Sequence, residues 1–133
     1  MPCFGWLEKA LEGNFMNKSS VVYKVSTYNR ALSEPVRMKI MKILGSHEAN
    51  PLTVSQIAEM LNLSQPTISK HLQILSHAGL VNFTRVKTAK FYVINKLSVK
   101  EYYDLIRAIS LATYAPCNYG YQCDTCPYSE TCI

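Results

Sequence analysis

Residues 52–94 read LTVSQIAEMLNLSQPTISKHLQILSHAGLVNFTRVKTAKFYVI, and the period of their apolar side chains changes along the stretch. Val54, Ile57, Ala58 and Leu61 share one face of a helix. Thr53 and Gln56 have capping-box spacing, in which the hydroxyl takes the N3 amide and the amide side chain reaches back to the cap. Asn62 then falls at a tight turn, where a residue tolerant of the left-handed region is wanted. Ser64 caps a second helix with Pro66 in its first turn. That helix turns Ile68, Leu72 and Leu75 inward and leaves Gln65, Thr67, Ser69, Lys70 and Gln73 outside, a polar face with no carboxylate. Ala78 and Gly79 stop it. Segments 80–86 and 91–94, rich in β-branched and aromatic residues, read as two strands of a hairpin with 87–90 between them.

Outward from this stretch the signals are helical. Phe4, Leu7, Leu11 and Phe15 suggest a short amphipathic helix over 4–15, and Val22, Val25, Tyr28 and Leu32 another over 21–32. Ser33 has the character of an N-cap, with Glu34 and Pro35 in the first turn of a helix that lines Val36, Ile40, Ile43 and Leu44 on one face. Arg37, Lys39 and Lys42 take its other faces, and Gly45 marks its end. Downstream, Ser98 and Glu101 form a second capping-box pattern, opening a helix over 98–115 that is apolar around more of its circumference than one core face needs. The surplus implies a homodimer interface, shared with the N-terminal helices. The whole is mainly α with a small β-hairpin, an α+β chain whose order of parts is that of a dimeric winged helix-turn-helix. Residues 1–116 are expected to form the reading and dimerisation domain and 117–133 a cysteine-rich tail.

Charge follows the same map. Of a formal net charge of +5, residues 1–59 carry +2, 60–100 carry +6 and 101–133 carry −3. Between 60 and 100 stand Lys70, Arg85, Lys87, Lys90, Lys96 and Lys100 with no acid, so a polyanion is the natural partner. Gln, Ser, Thr and Lys side chains can reach base edges in a major groove, while cations meet phosphates. Gln65, Thr67, Ser69, Lys70 and Gln73 are therefore candidate groove contacts, with Ser64 at the edge. Arg85, Lys87 and Lys90 are candidate backbone or minor-groove contacts, and Lys39 and Lys42 flank them. His71, between the two faces of its helix, reads as packed. The start, MPCFGWLEKALEGN, has no charged segment followed by an apolar one, and no apolar run approaches a membrane span, which implies a cytoplasmic chain.

At this point ALSEPVRMKIMKIL (31–44), followed by LTVSQIAEMLNLSQPTISKHLQILSHAGLV (52–81), closely resembles the ArsR-type family of winged-helix repressors. The resemblance spans about residues 20–114, and SQPTISKHLQILSHAGLV is its most specific piece. It implies a homodimer, reading helices in successive major grooves of an imperfect palindrome, and release of DNA when a small signal binds. The familiar sensors do not carry over. Members that sense soft metals have cysteines in the first helix of the motif, where this chain has Thr53 and Ser55. Others use acids and histidines on the last helix, where 98–115 offers Glu101 and Asp104 and no histidine. The wing turn also lacks the glycine often found there.

Four of the five cysteines lie in the tail as Cys117-x5-Cys123-x2-Cys126-x5-Cys132, with Pro127 directly after the third; Cys3 stands alone. Four thiolates so spaced can surround a [4Fe-4S] cluster or a tetrahedral zinc ion. Zinc sites more often pair two close knuckles, and here there is one, which favours the cluster; zinc, disulfides or a CxxC thiol switch, and an unligated tail are the alternatives. A centre at the end of the dimer helix could alter how two such helices pair, and so the spacing of the reading heads, or it could only fold the tail. No nucleophile, base and carboxylate constellation is present. A thiol oxidoreductase or electron carrier using Cys123 and Cys126 is disfavoured because the pair follows a helix and does not open one. An adaptor that binds protein on the same scaffold, with a structural zinc tail, is the other rival.

Overall fold

The four helices after residue 34 each begin where a short-range cap takes their first amides. The computed structural model describes residues 21–128; the helix expected over 4–15, Cys3 and Cys132 lie outside them. Among the described residues the order is α1 (Val21–Leu32), α2 (Pro35–Ser46), β1 (Leu52–Thr53), α3 (Val54–Leu61), α4 (Gln65–His77), β2 (Val81–Val86), β3 (Ala89–Ile94) and α5 (Lys96–Ala112), then a single 3-10 turn over Cys123–Thr125. The expected α+β class is observed, and the hairpin gains a third strand: the antiparallel order is β1-β3-β2, with Leu52 opposite Tyr92 and Thr53 opposite Phe91. A two-residue strand is too short to carry an alternating pattern, so the sequence does not announce it.

Thr53 and Gln56 make the reciprocal capping box, Asn62 takes the left-handed conformation at φ 52°, and the Ser64 side chain accepts the Thr67 amide. Two caps differ from expectation. Helix α2 is capped by Glu34, whose carboxylate accepts from the Val36 and Arg37 amides, while Ser33 donates back to Arg30 O at 2.8 Å. Helix α5 starts earlier than 98: the Asn95 side chain accepts the Ser98 amide at 3.3 Å and donates to Gly79 O at 2.9 Å. It also ends at Ala112 and not at 115. Replacing Thr53 by alanine is expected to cost about 1 kcal/mol of stability, read as a lower urea midpoint at unchanged m-value.

The described chain divides into two units, Thr27–Val99 and a second that joins α1 through Ser26 to the chain from Lys100 onward. In the first unit the core is Tyr28, Ala31, Ile40, Leu44, Leu52, Ile57, Ala58, Ile68, Leu72, Leu75, Leu80, Val81 and Tyr92, drawn from every helix and strand of the motif. Arg37 departs from its expected exposed position. It is buried, its Nε donating to Ala31 O at 2.5 Å and Nη2 to Arg30 O at 3.2 Å, which satisfies the last carbonyls of α1. In the second unit Val25, Leu105 and Ala108 are buried and Lys24 pairs with Glu101.

Candidate nucleic-acid interface

Helix α4 is fixed by its inner face and presents its outer one. Ile68, Leu72 and Leu75 are fully buried, while Gln65, Ser69, Lys70 and Gln73 are exposed and Thr67 is half-buried. His77, also exposed, continues the row of Lys70 and Gln73 by one turn; the i, i+4 step from Gln73 was the signal for it in the sequence. Ser64 and Thr67 are engaged with each other, their hydroxyl oxygens 2.7 Å apart, so Ser64 serves first as the cap. His71 is half-buried as expected, with Nδ1 3.4 Å from Arg37 Nη1 and 3.8 Å from Glu34 Oε2. This places it in a contact among α1, α2 and α4 and away from the exposed row.

The hairpin packs its base on α4 and projects its far end into solvent. Val81 is buried and 82–86 are exposed along β2. The turn is tighter than expected, because β3 already starts at Ala89 and only Lys87 and Thr88 connect the strands, with Lys87 at φ 55° in place of a glycine. Register sets Arg85 directly opposite Lys90. Like charges facing across a strand pair repel, an arrangement that an anion lying between them would relieve. Lys90 Nζ lies 4.5 Å from the centre of the Phe83 ring, which in turn packs on Tyr92 at 5.6 Å.

Pairing separates the cations of this region into two groups. Lys96 is bound to Glu48 and Lys100 to Asp104, the latter at 3.0 Å. Lys70, Arg85, Lys87 and Lys90 have no acidic partner among the described residues. Lys39 and Lys42 are exposed on α2. The sequence-derived set is thus brought together on two adjoining elements of one unit, α4 and the wing.

Burial raises the Tyr92 phenol above its ordinary value of 10.0, opposed by the nearby Arg85 charge. The folded chain therefore holds this proton more tightly than the unfolded one. The resulting stability is complete below about pH 10 and is lost as pH climbs through the raised value. Tyr92→Phe should flatten the fall in urea midpoint above about pH 10.

Residues 34–82 match the arsR family of bacterial regulatory proteins. An HTH-type transcriptional regulator of Methanocaldococcus jannaschii is 37% identical over 83 residues, 62% of this chain and 91% of the relative. The chain belongs to the arsR family. It is a DNA-binding transcriptional regulator and not an enzyme. Two further relatives of this arsR-family protein act in opposite senses, one as a repressor and one as an activator. The transcriptional repressor SdpR of Bacillus subtilis is 36% identical over 66 residues, 50% of this chain and 70% of the relative. The transcriptional activator HlyU of Vibrio cholerae is 30% identical over 94 residues, 71% of this chain and 82% of the relative. The solved structure of HlyU superposes with a TM-score of 0.54 at 29% identity, covering 72% of this chain and 99% of its own. A homodimeric winged helix-turn-helix domain of Mycobacterium bovis shares the fold with a TM-score of 0.56 at 24% identity, over 78% of this chain and 96% of that one.

Among the described residues, Cys117 and Cys126 are half-buried, Cys123 is exposed, and no disulfide joins these three to one another. No three His, Cys, Asp or Glu side chains of the described residues converge as a metal site. No described helix is long and apolar enough to cross a membrane.

Proposed function

We propose that this arsR-family regulator is a cytoplasmic repressor that binds an imperfect palindrome in double-stranded DNA as a homodimer. Gln65, Thr67, Ser69, Lys70 and Gln73 read base edges in the major groove, with Ser64 at its rim. Arg85, Lys87 and Lys90 grip the backbone from the wing. The observation that carries this is the pairing pattern: an exposed, carboxylate-free face of α4 adjoins a hairpin whose cations have no acidic partner among the described residues. Selection from a random duplex library tests it, with recovery expected of two related half-sites about one helical turn, roughly 34 Å, apart. Recovery of no common motif would contradict it. A reporter placed behind the recovered operator should rise when the protein is removed.

Dimerisation is supported by α5, which leaves Tyr103 68% and Leu111 55% exposed. The double change Tyr103→Glu and Leu111→Glu is expected to give monomers by sedimentation and to weaken operator binding with them.

DNA binding is controlled through the tail in this reading. Cys117, Cys123, Cys126 and Cys132 hold a [4Fe-4S] cluster, or zinc in its place, so that gain or loss of the centre bears on the helix that pairs the protomers. Its support is continuity: α5 ends at Ala112 and the first tail cysteine follows within two turns' worth of chain. A thiol–disulfide switch of the same cysteines is the alternative, and the two are separated by metal analysis.

A further inference from the structure

We infer that Phe83 is a positioning residue of the wing: its ring holds the Lys90 ammonium beside Arg85, and the two cations together take one phosphate of the DNA backbone. The inference deepens the reading of the wing above and rests on it for the partner.

Residues directly opposite in an antiparallel pair share a face, and successive residues of a strand alternate between faces. The register therefore makes one row of Val81–Ile94, Phe83–Tyr92 and Arg85–Lys90, and another of Asn82–Val93, Thr84–Phe91 and Val86–Ala89. Both strand cations lie in the first row. That row begins in the core, where Val81 and Tyr92 are buried, and runs outward through Phe83, 43% exposed, to the exposed Arg85. The aromatic pair is the step between the packed base of the hairpin and its charged end.

Contacts give that step a use. The Phe83 ring packs on Tyr92 with centroids 5.6 Å apart, and Lys90 Nζ lies over it, 4.5 Å from its centre. A cation over an aromatic face is attracted by the ring quadrupole. Cross-strand repulsion from Arg85 opposes this and is of the same order, so the ring keeps Lys90 beside Arg85 where an aliphatic side chain would release it. Exposure agrees: Lys90 is half-buried while Lys87, in the turn, is exposed, as expected of a lysine stem laid along the sheet. Burial raises the Tyr92 phenol and the Arg85 charge lowers it, so Arg85 acts on the same aromatic pair. Between residues 60 and 100 the sequence has no carboxylate to take either cation. A phosphodiester shares its negative charge between two oxygens, one for each cation.

Fluorescence anisotropy of the full-length protein on the selected operator and on an unrelated duplex, each over a salt series, is the test. Phe83→Leu keeps an apolar side chain on Tyr92 without the ring, and is expected to weaken binding to both duplexes about 2–5-fold. Phe83→Tyr, which restores the ring face, should recover that loss. Lys90→Met alone should flatten the salt slope by roughly 0.9, and adding Phe83→Leu to it should have no further effect. Thermal unfolding by circular dichroism checks that each variant is folded at the assay temperature; Phe83→Ile, a stronger strand former, repeats the cycle if leucine loosens the hairpin. Parental affinity in Phe83→Leu overturns the inference. So does a loss equally large with lysine or methionine at position 90, since the ring would then act through packing; either result leaves the wing reading standing. Salt-dependent binding that Lys90→Met alters in neither affinity nor slope overturns the inference and removes Lys90 from the interface as well.

Discussion

Alanine at Lys70, Arg85, Lys87 and Lys90 together is expected to abolish operator binding at physiological salt while leaving the fold intact. These four cations have no acidic partner among the described residues, so removing them breaks no ion pair described there. Removing one phosphate-binding cation should flatten the slope of log K against log salt by roughly 0.9. Gln65→Ala and Gln73→Ala form the complementary set. Each should cost about 1–3 kcal/mol on the operator and little on unrelated duplex, because base contacts carry specificity and phosphate contacts carry affinity. Fluorescence anisotropy over a salt series separates the two. An unchanged slope in the fourfold variant would remove the wing and Lys70 from the interface.

Leu72→Ala is expected to be strongly damaging to stability. Its side chain is fully buried on the face of α4 opposite Lys70 and Gln73, and it joins that helix to the rest of the Thr27–Val99 core. Truncating a buried leucine costs about 2–5 kcal/mol, against a total of about 5–15 kcal/mol for a domain. The thermal midpoint should fall on the order of 10 °C or more. Operator binding should fall only as far as the unfolded fraction requires, since no DNA-facing group is altered. Calorimetry and anisotropy on one preparation check both parts. A loss of affinity at temperatures where the variant is fully folded would show that the position of α4 depends on Leu72 more finely than its stability does.

What the sequence made legible was local. The Thr53–Gln56 box, the left-handed Asn62 and the Ser64 cap each involve residues within a few positions of one another, and each is present in the folded chain. The inward face of α4 was equally plain, because Ile68, Leu72 and Leu75 follow the helical period without interruption. Where two good caps lie close together, side-chain type alone did not choose. Glu34 acts where Ser33 was expected, helped by a carboxylate that reaches two amides at once. Asn95 acts where Ser98 was expected, because it also binds Gly79 O across the fold. Tertiary contacts left no trace at all. Arg37 has the composition of a surface residue, yet the carbonyl end of α1 draws it inside. Strand β1 exists only because β3 offers it an edge.

For the site, composition gave the exposed polar row and the wing cations, and pairing added the distinction between Lys96 and Lys100, which have acidic partners, and the four that do not. That distinction depends on Glu48 and Asp104, neither identified from the sequence as a partner. His77 was readable from its spacing, one turn past Gln73, and its exposure carries the row beyond the expected set.

The most direct test is titration of the purified full-length protein, tail loaded and unloaded, against double-stranded DNA from low to physiological ionic strength. The expected result is binding that weakens steeply with salt and a further preference for one selected operator. Failure to bind any duplex at low salt, in both states of the tail, would contradict the assignment of α4 and the wing as a DNA-reading surface.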